Sequence, residues 1–147
     1  MSYIRQALET DLDAIMRLER EAFAQGWSRG AWAEELAHHW VQVAHTPDVT
    51  GVISMGEVAG TAELRRIIVS TPSRGKGVAR ALTNEGLDWV TSRGATEVFL
   101  EVSGNNAAAQ CLYISVGFLP IDVRKDYYGP SDDAIVMMLT LNRRIDD

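Results

Sequence analysis

The chain has 147 residues, 46% hydrophobic and 23% charged, with 20 Asp and Glu against 14 Lys and Arg for a net charge of −6. That length fits one domain able to bury about two-thirds of the surface of its unfolded state. The acidic balance speaks against a nucleic-acid binder, and no apolar run approaches the roughly 20 residues of a membrane helix. The stretch MSYIRQALETD lacks an apolar signal core, and the lone Cys111 has no intramolecular disulfide partner. The expectation is a single domain over 1–147, located in the cytoplasm, with Cys111 as a small buried residue.

In chain order, residues 2–8 alternate weakly and predict a strand. Thr10 opens a Thr-x-x-Asp stretch able to cap a helix over about 11–23. Leu12, Ile15, Met16, Ala22 and Phe23 recur at helical spacing as its buried face. Glu19 stands in that face, either reaching out to water or lining a cleft. WSRGAWAEELAHH predicts a second helix with Ser28 as its cap. Three strand-like runs follow, Trp40 to His45, Val49 to Met55 and Thr61 to Val69, separated by the turns TPD and GEVAG. The turn SRGKG then leads into a long helix ending at Gly94, which suits a left-handed cap. TEVFLEV is a strand, and NNAAAQCLYISVGF is a helix capped by Asn105 or Asn106 and closed by Gly117. Two last strands, near 118–127 and 134–141, are joined by YGPSDD. The order β-α-α-β-β-β-α-β-α-β-β predicts an α/β (α+β) domain with one mixed sheet flanked by helices.

Two stretches carry chemistry. Five of the 14 basic residues (Arg65, Arg66, Arg74, Lys76, Arg80) fall within 16 positions around SRGKGVAR. A strand, a glycine-rich turn and a helix form a recurring anion site: the free N–H groups of the helix's first turn face the ligand, and Gly75 and Gly77 let the backbone approach. A solvated loop with scattered charges has the same composition. In FLEVSGNNAAAQCLYISVGF, strand alternation puts Leu100 and Val102 on one face and Phe99, Glu101 and Ser103 on the other. Glu101 is thus a carboxylate on a central strand, costly unless paired or wet. Asn106 and Tyr113, two helical turns apart, share a side with Ala109 between them. A helix cap and an ordinary amphipathic tyrosine would give the same pattern. His38, His39 and His45 form no ligand-spaced set, so no metal is expected.

With both stretches in view the chain resembles the GCN5-related N-acetyltransferase (GNAT) superfamily. RGKGVA looks like its Arg/Gln-x-x-Gly-x-Gly/Ala motif, with Ala79 at the last position. NNAAAQCLYISVGF is similar to its Asn-x-x-Ala-x-x-Leu-Tyr-x-x-x-Gly-Phe helix. LEREAFAQGWS, LEVSGNNAAAQCLY and RKDYYGPSDDAIVMML further resemble the RimI branch, whose members acetylate the N-terminal alanine of small-subunit ribosomal protein eighteen. The chain departs from that branch at Gly26, where proline is usual, and at Ser103-Gly104, which replaces an Arg-containing stretch.

The resemblance implies a sheet of about seven mostly antiparallel strands with about four helices, and acetyl-CoA as co-substrate. By residue matching, the turn Gly75, Lys76, Gly77, Val78, Ala79, Arg80 holds the pyrophosphate, with Arg74 and Lys76 adding charge. Ile67, Ile68 and Val69 line the acetyl and pantetheine arm, and Asn106 contacts the cofactor arm. A backbone N–H near Val69 would hold the thioester carbonyl. Glu101 matches the general base and Tyr113 the general acid. Peptide selectivity would come from the loop between the first two helices and the last strand turn, with Phe23, Trp27, Tyr127 and Tyr128 as aromatic contacts and Glu19 pairing with a substrate amine or a basic side chain. The implied partner is the N-terminus of a ribosomal protein, with docking to the tRNA threonylcarbamoyl-adenosine machinery and no direct nucleic-acid or membrane contact. The residues leave open a superfamily member acting on another protein N-terminus, a lysine or a small amine, and a non-catalytic CoA- or partner-binding module.

Overall fold

The computed structural model of the protein describes residues 3–141. Seven strands and four helices follow one another as β1 (Tyr3–Gln6), α1 (Leu12–Ala22), α2 (Arg29–His38), β2 (Trp40–His45), β3 (Val49–Val58), β4 (Thr61–Val69), α3 (Val78–Ser92), β5 (Glu97–Ser103), α4 (Ala107–Ser115), β6 (Leu119–Gly129) and β7 (Asp132–Thr140). The strands form one sheet in the order β1-β2-β3-β4-β5-β7-β6. The predicted element order holds throughout. Among the described residues no helix is long and apolar enough to cross a membrane.

The chain packs as two compact units: one runs to Gly56 and resumes over Leu64–Val90, and the other takes Glu57–Glu63 and the chain from Thr91 onward. In the first unit the apolar stripe of α1 (Leu12, Ile15, Met16, Leu18) meets Trp32 of α2, Val41 and Val43 of β2, Val52 of β3 and Ile68 of β4. This is the expected amphipathic solution, one helical stripe buried against a sheet face. Thr10 does not cap α1. A 3-10 turn, Glu9–Asp11, precedes the helix, and Asp11 takes the polar role, accepting the Leu8 N–H at 2.8 Å and the Arg5 fork at 2.8 and 2.9 Å. Ser28 does cap α2, accepting the Ala31 N–H at 3.0 Å.

In the second unit the start of β4 runs parallel to β5, with Thr61 opposite Glu97 and Glu63 opposite Phe99. β5 pairs antiparallel with β7, and β7 with β6. Val98, Leu100 and Val102 turn inward with Phe118, Ala134 and Met137, so the alternation read from the sequence is the one adopted. The closing turn is tighter than YGPSDD suggested, because β6 continues to Gly129 and β7 begins at Asp132. Cys111 is exposed rather than buried. α4 has only nine residues, and Tyr113 is its one buried side chain.

Candidate active site

The glycine turn lies in the first unit, between the end of β4 and α3. Gly75 and Gly77 have φ of 78° and 83°, the left-handed region that disfavours side chains. A Cβ built on either would meet nothing within 4 Å, so the turn offers open backbone to an anion. The first N–H groups of a helix have no intrahelical acceptor; in α3 the Ala81 N–H bonds back to the Gly77 carbonyl at 3.0 Å. The 15-residue length of α3 adds its dipole. The residues present therefore fit a pyrophosphate. Arg74 braces the turn, its Nε donating to the Val69 carbonyl at 3.1 Å. The Thr71 N–H and hydroxyl both donate to Glu21, at 2.7 and 2.8 Å, and these bonds hold the Glu21 carboxyl below the usual range. Ile68 packs into the core, so it can present only backbone to a bound arm; Ile67 is half-buried.

The second unit holds the proposed acid and base. Glu101 lies opposite Val136 of β7, which lies opposite Asp122 of β6. Its carboxylate pairs with the Arg124 Nη1 at 3.2 Å, and its side chain is 32% exposed. It is thus both paired and wet, which answers the cost of a charge on a central strand. The Arg124 guanidinium stands 5.4 Å from the Tyr127 ring centre, and the Tyr127 and Tyr128 rings meet edge-on at 5.2 Å. Tyr113 of α4 is only 5% exposed and sets its ring edge-on to Phe118 at 5.8 Å. Burial, with a smaller contribution from Tyr128, pushes its phenol up to about 12. Glu101, Arg124, Tyr127 and Tyr128 thereby form a chain of neighbours across β5 and β6. Asn106 caps α4, its Oδ1 accepting the Ala109 N–H at 3.1 Å, so its amide N–H groups are what it can offer a cofactor. Arg124 escaped the sequence reading, since no local signal places a residue of β6 beside one of β5.

Glu19 is placed differently from either reading. It is 1% exposed, and its carboxylate accepts the Trp32 indole N–H at 2.9 Å, the Trp27 backbone N–H at 3.0 Å, the Arg66 Nε at 3.3 Å and the Arg66 Nη2. Arg66 in turn stacks on Phe23, 3.8 Å to the ring centre, and on Trp27, 4.5 Å. Neither water nor an open cleft is its environment. A second buried carboxylate, Glu35, accepts from Ser54 at 2.7 Å and from Arg65 at 2.8 and 3.0 Å. Burial pushes Glu35 up, but the bonds from Arg65 and Ser54 together hold it below the ordinary range. Among the described residues no group of His, Cys, Asp and Glu is arranged to hold a metal ion.

The sequence profile of the Acetyltransferase (GNAT) family matches residues 7–118. The chain is 31% identical to the [ribosomal protein bS18]-alanine N-acetyltransferase of Escherichia coli (strain K12), over 97% of this chain and 99% of that relative. The crystal structure of the ribosomal-protein-S18-alanine N-acetyltransferase from Escherichia coli superposes with a TM-score of 0.91 at 29% identity, covering 100% of this chain and 98% of that one. The yncA protein of Salmonella typhimurium, solved with its cofactor acetyl-CoA, gives a TM-score of 0.82 at 24% identity, covering 98% and 96%; that likeness is one of fold. With its seven-stranded sheet, open glycine turn and near full-length relatives, the chain belongs to the Acetyltransferase (GNAT) family and is an acyltransferase.

Proposed function

We propose that this protein transfers the acetyl group of acetyl-CoA to the α-amine of a protein N-terminus beginning with alanine, as the name of its Escherichia coli relative describes, within one acetyltransferase domain acting in the cytoplasm. The observation that carries the reading is the 31% identity running through 97% of this chain and 99% of that relative. In this reading the Gly75–Arg80 turn holds the pyrophosphate, Ile67 to Val69 run along the acyl arm, and Asn106 offers its amide N–H groups. Acetyl-CoA supplies the activated acyl group.

An α-amine has a pKa of roughly 7.7–8.0, so a sizeable minority is neutral near pH 7 and modest base assistance suffices. Glu101 takes the proton shed by the amine, directly or through one water. Tyr113 donates its phenolic proton to the departing sulfur. A phenol at about 12 stays protonated at every working pH. In this reading Tyr127, Tyr128, Phe23 and Trp27 are the aromatic candidates for acceptor selectivity. Glu19 serves from inside, by holding Trp27 in place.

The test is an acceptor panel. With acetyl-CoA, an Ala-Arg-starting peptide should be turned over with a higher kcat/KM than free lysine, spermidine or an aminoglycoside. Turnover of a small amine without turnover of any N-terminal peptide would replace this reading by a metabolite acetyltransferase.

A further inference from the structure

Glu19 and Glu35 are buried carboxylates of the same unit, each paired with an arginine of β4, yet they face different things. The hydrogen bonds to Glu35 come from Ser54 of β3 and Arg65 of β4, with the His39 ring at the end of α2 3.7 Å away. The donors to Glu19 come from α2, from β4 and from the loop between the helices. That loop is wound around the Glu19–Arg66 pair. Phe23 and Trp27 stack on the Arg66 guanidinium, the Trp27 N–H ends on the carboxylate, and a Cβ on Gly26 would stand 2.9 Å from the Glu19 Cδ. Glycine at 26 thus lets the chain lie against the carboxylate. An arginine is needed opposite, because its planar fork bonds the carboxylate while its faces stack on rings, which an ammonium cannot do.

We propose that the Glu19–Arg66 pair is a positioning device that sets the shape of the loop over residues 23–27 and thereby selects the acceptor without touching it. This rests on the reading of that loop as acceptor lining. The pair holds two aromatic side chains and one backbone N–H in a single arrangement before the acceptor arrives, so the ordering cost of binding is already met. Loosening it weakens acceptor binding and leaves the turn that holds the cofactor, and the acid and base on β5 and α4, as they were.

Steady-state kinetics with acetyl-CoA and an Ala-starting peptide test this in Glu19→Gln, Arg66→Lys and Gly26→Ala, with Glu35→Gln as the control for loss of a buried pair. The expected result is a peptide KM raised about tenfold in the first three, with the acetyl-CoA KM and kcat within about twofold of wild type, and no such split in Glu35→Gln. If Glu19→Gln does not fold, the other two variants keep the charges and carry the test. An unchanged peptide KM in the folded variants overturns the proposal. So does an equal rise in both KM values, or the same split in the control. If wild type acetylates a small amine and no peptide, the acceptor reading fails on its own, and the KM for that amine in the same variants then decides the positioning role.

Discussion

Glu19 and Glu101 both face an arginine, and both stood out in the sequence, Glu19 as a carboxylate in the buried face of a helix and Glu101 as one on a central strand, but their surroundings divide them. Glu19 is 1% exposed and accepts four hydrogen bonds. Glu101 keeps 32% of its side chain in solvent and meets one guanidinium at 3.2 Å. A carboxylate with every lone pair engaged holds structure together; one with a single exposed partner can exchange it for an arriving amine. The number of donors already in place, more than the residue type, separates the two carboxylates.

Four experiments sharpen or break that contrast. Replacing Glu101 by Gln should lower kcat/KM by about 10²–10⁴ while shifting stability by less than about 1 kcal/mol, since an exposed ion pair contributes little; activity assays and urea unfolding read the two effects. Glu19→Gln should do the reverse, with a loss of about 3 kcal/mol in urea unfolding from the uncompensated Arg66 and kcat retained. A stability loss in Glu101→Gln as large as that in Glu19→Gln would erase the distinction. Tyr113→Phe should lower kcat about a hundredfold and change the alkaline stability. Burial pushes the folded phenol up to about 12, from an ordinary value of 10.0. Its contribution is therefore fully present below about pH 10 and fades as pH rises toward 12, roughly 3 kcal/mol in all. Urea midpoints measured across that window should fall in wild type and flatten in the variant. The smallest effect belongs to Asp11 and Glu35, both held below the carboxylate range. Asp11 owes this first to the hydrogen bonds from Arg5; in Glu35 burial opposes the shift and the Arg65 and Ser54 bonds outweigh it. Their stabilisation is present above about pH 4 and is lost as pH falls through their depressed values, so the melting temperature should decline there, less steeply in Glu35→Gln.

Much of the fold was legible because its signals are local. Hydrophobic period, the Ser28 cap, and glycines at 94 and 117 with positive φ mark elements within a few residues of themselves. Thr10 was misread because Asp11, one residue on, wins the Leu8 N–H and the Arg5 fork together. Cys111 was misread because a short helix that buries mainly Tyr113 leaves its other faces to solvent. The candidate site was half legible. Glu101, Tyr113 and the glycine turn stand out in the sequence by motif and alternation, whereas Arg66 lies 47 residues from the Glu19 it meets. Arg124 reaches Glu101 only through the register of β6 on β7 and β7 on β5, which a bulge between Pro120 and Asp122 shifts by one residue. Such partnerships are set by register and loop path, which leave no mark in local composition.

The central claim is acetyl transfer to a peptide α-amine, and tandem mass spectrometry of the product of wild-type protein, acetyl-CoA and an Ala-starting peptide bearing an internal lysine tests it most directly. The account predicts one acetyl group on the N-terminal alanine nitrogen. An acetyl group on the lysine side chain, or an unmodified peptide from protein that binds acetyl-CoA, would contradict it.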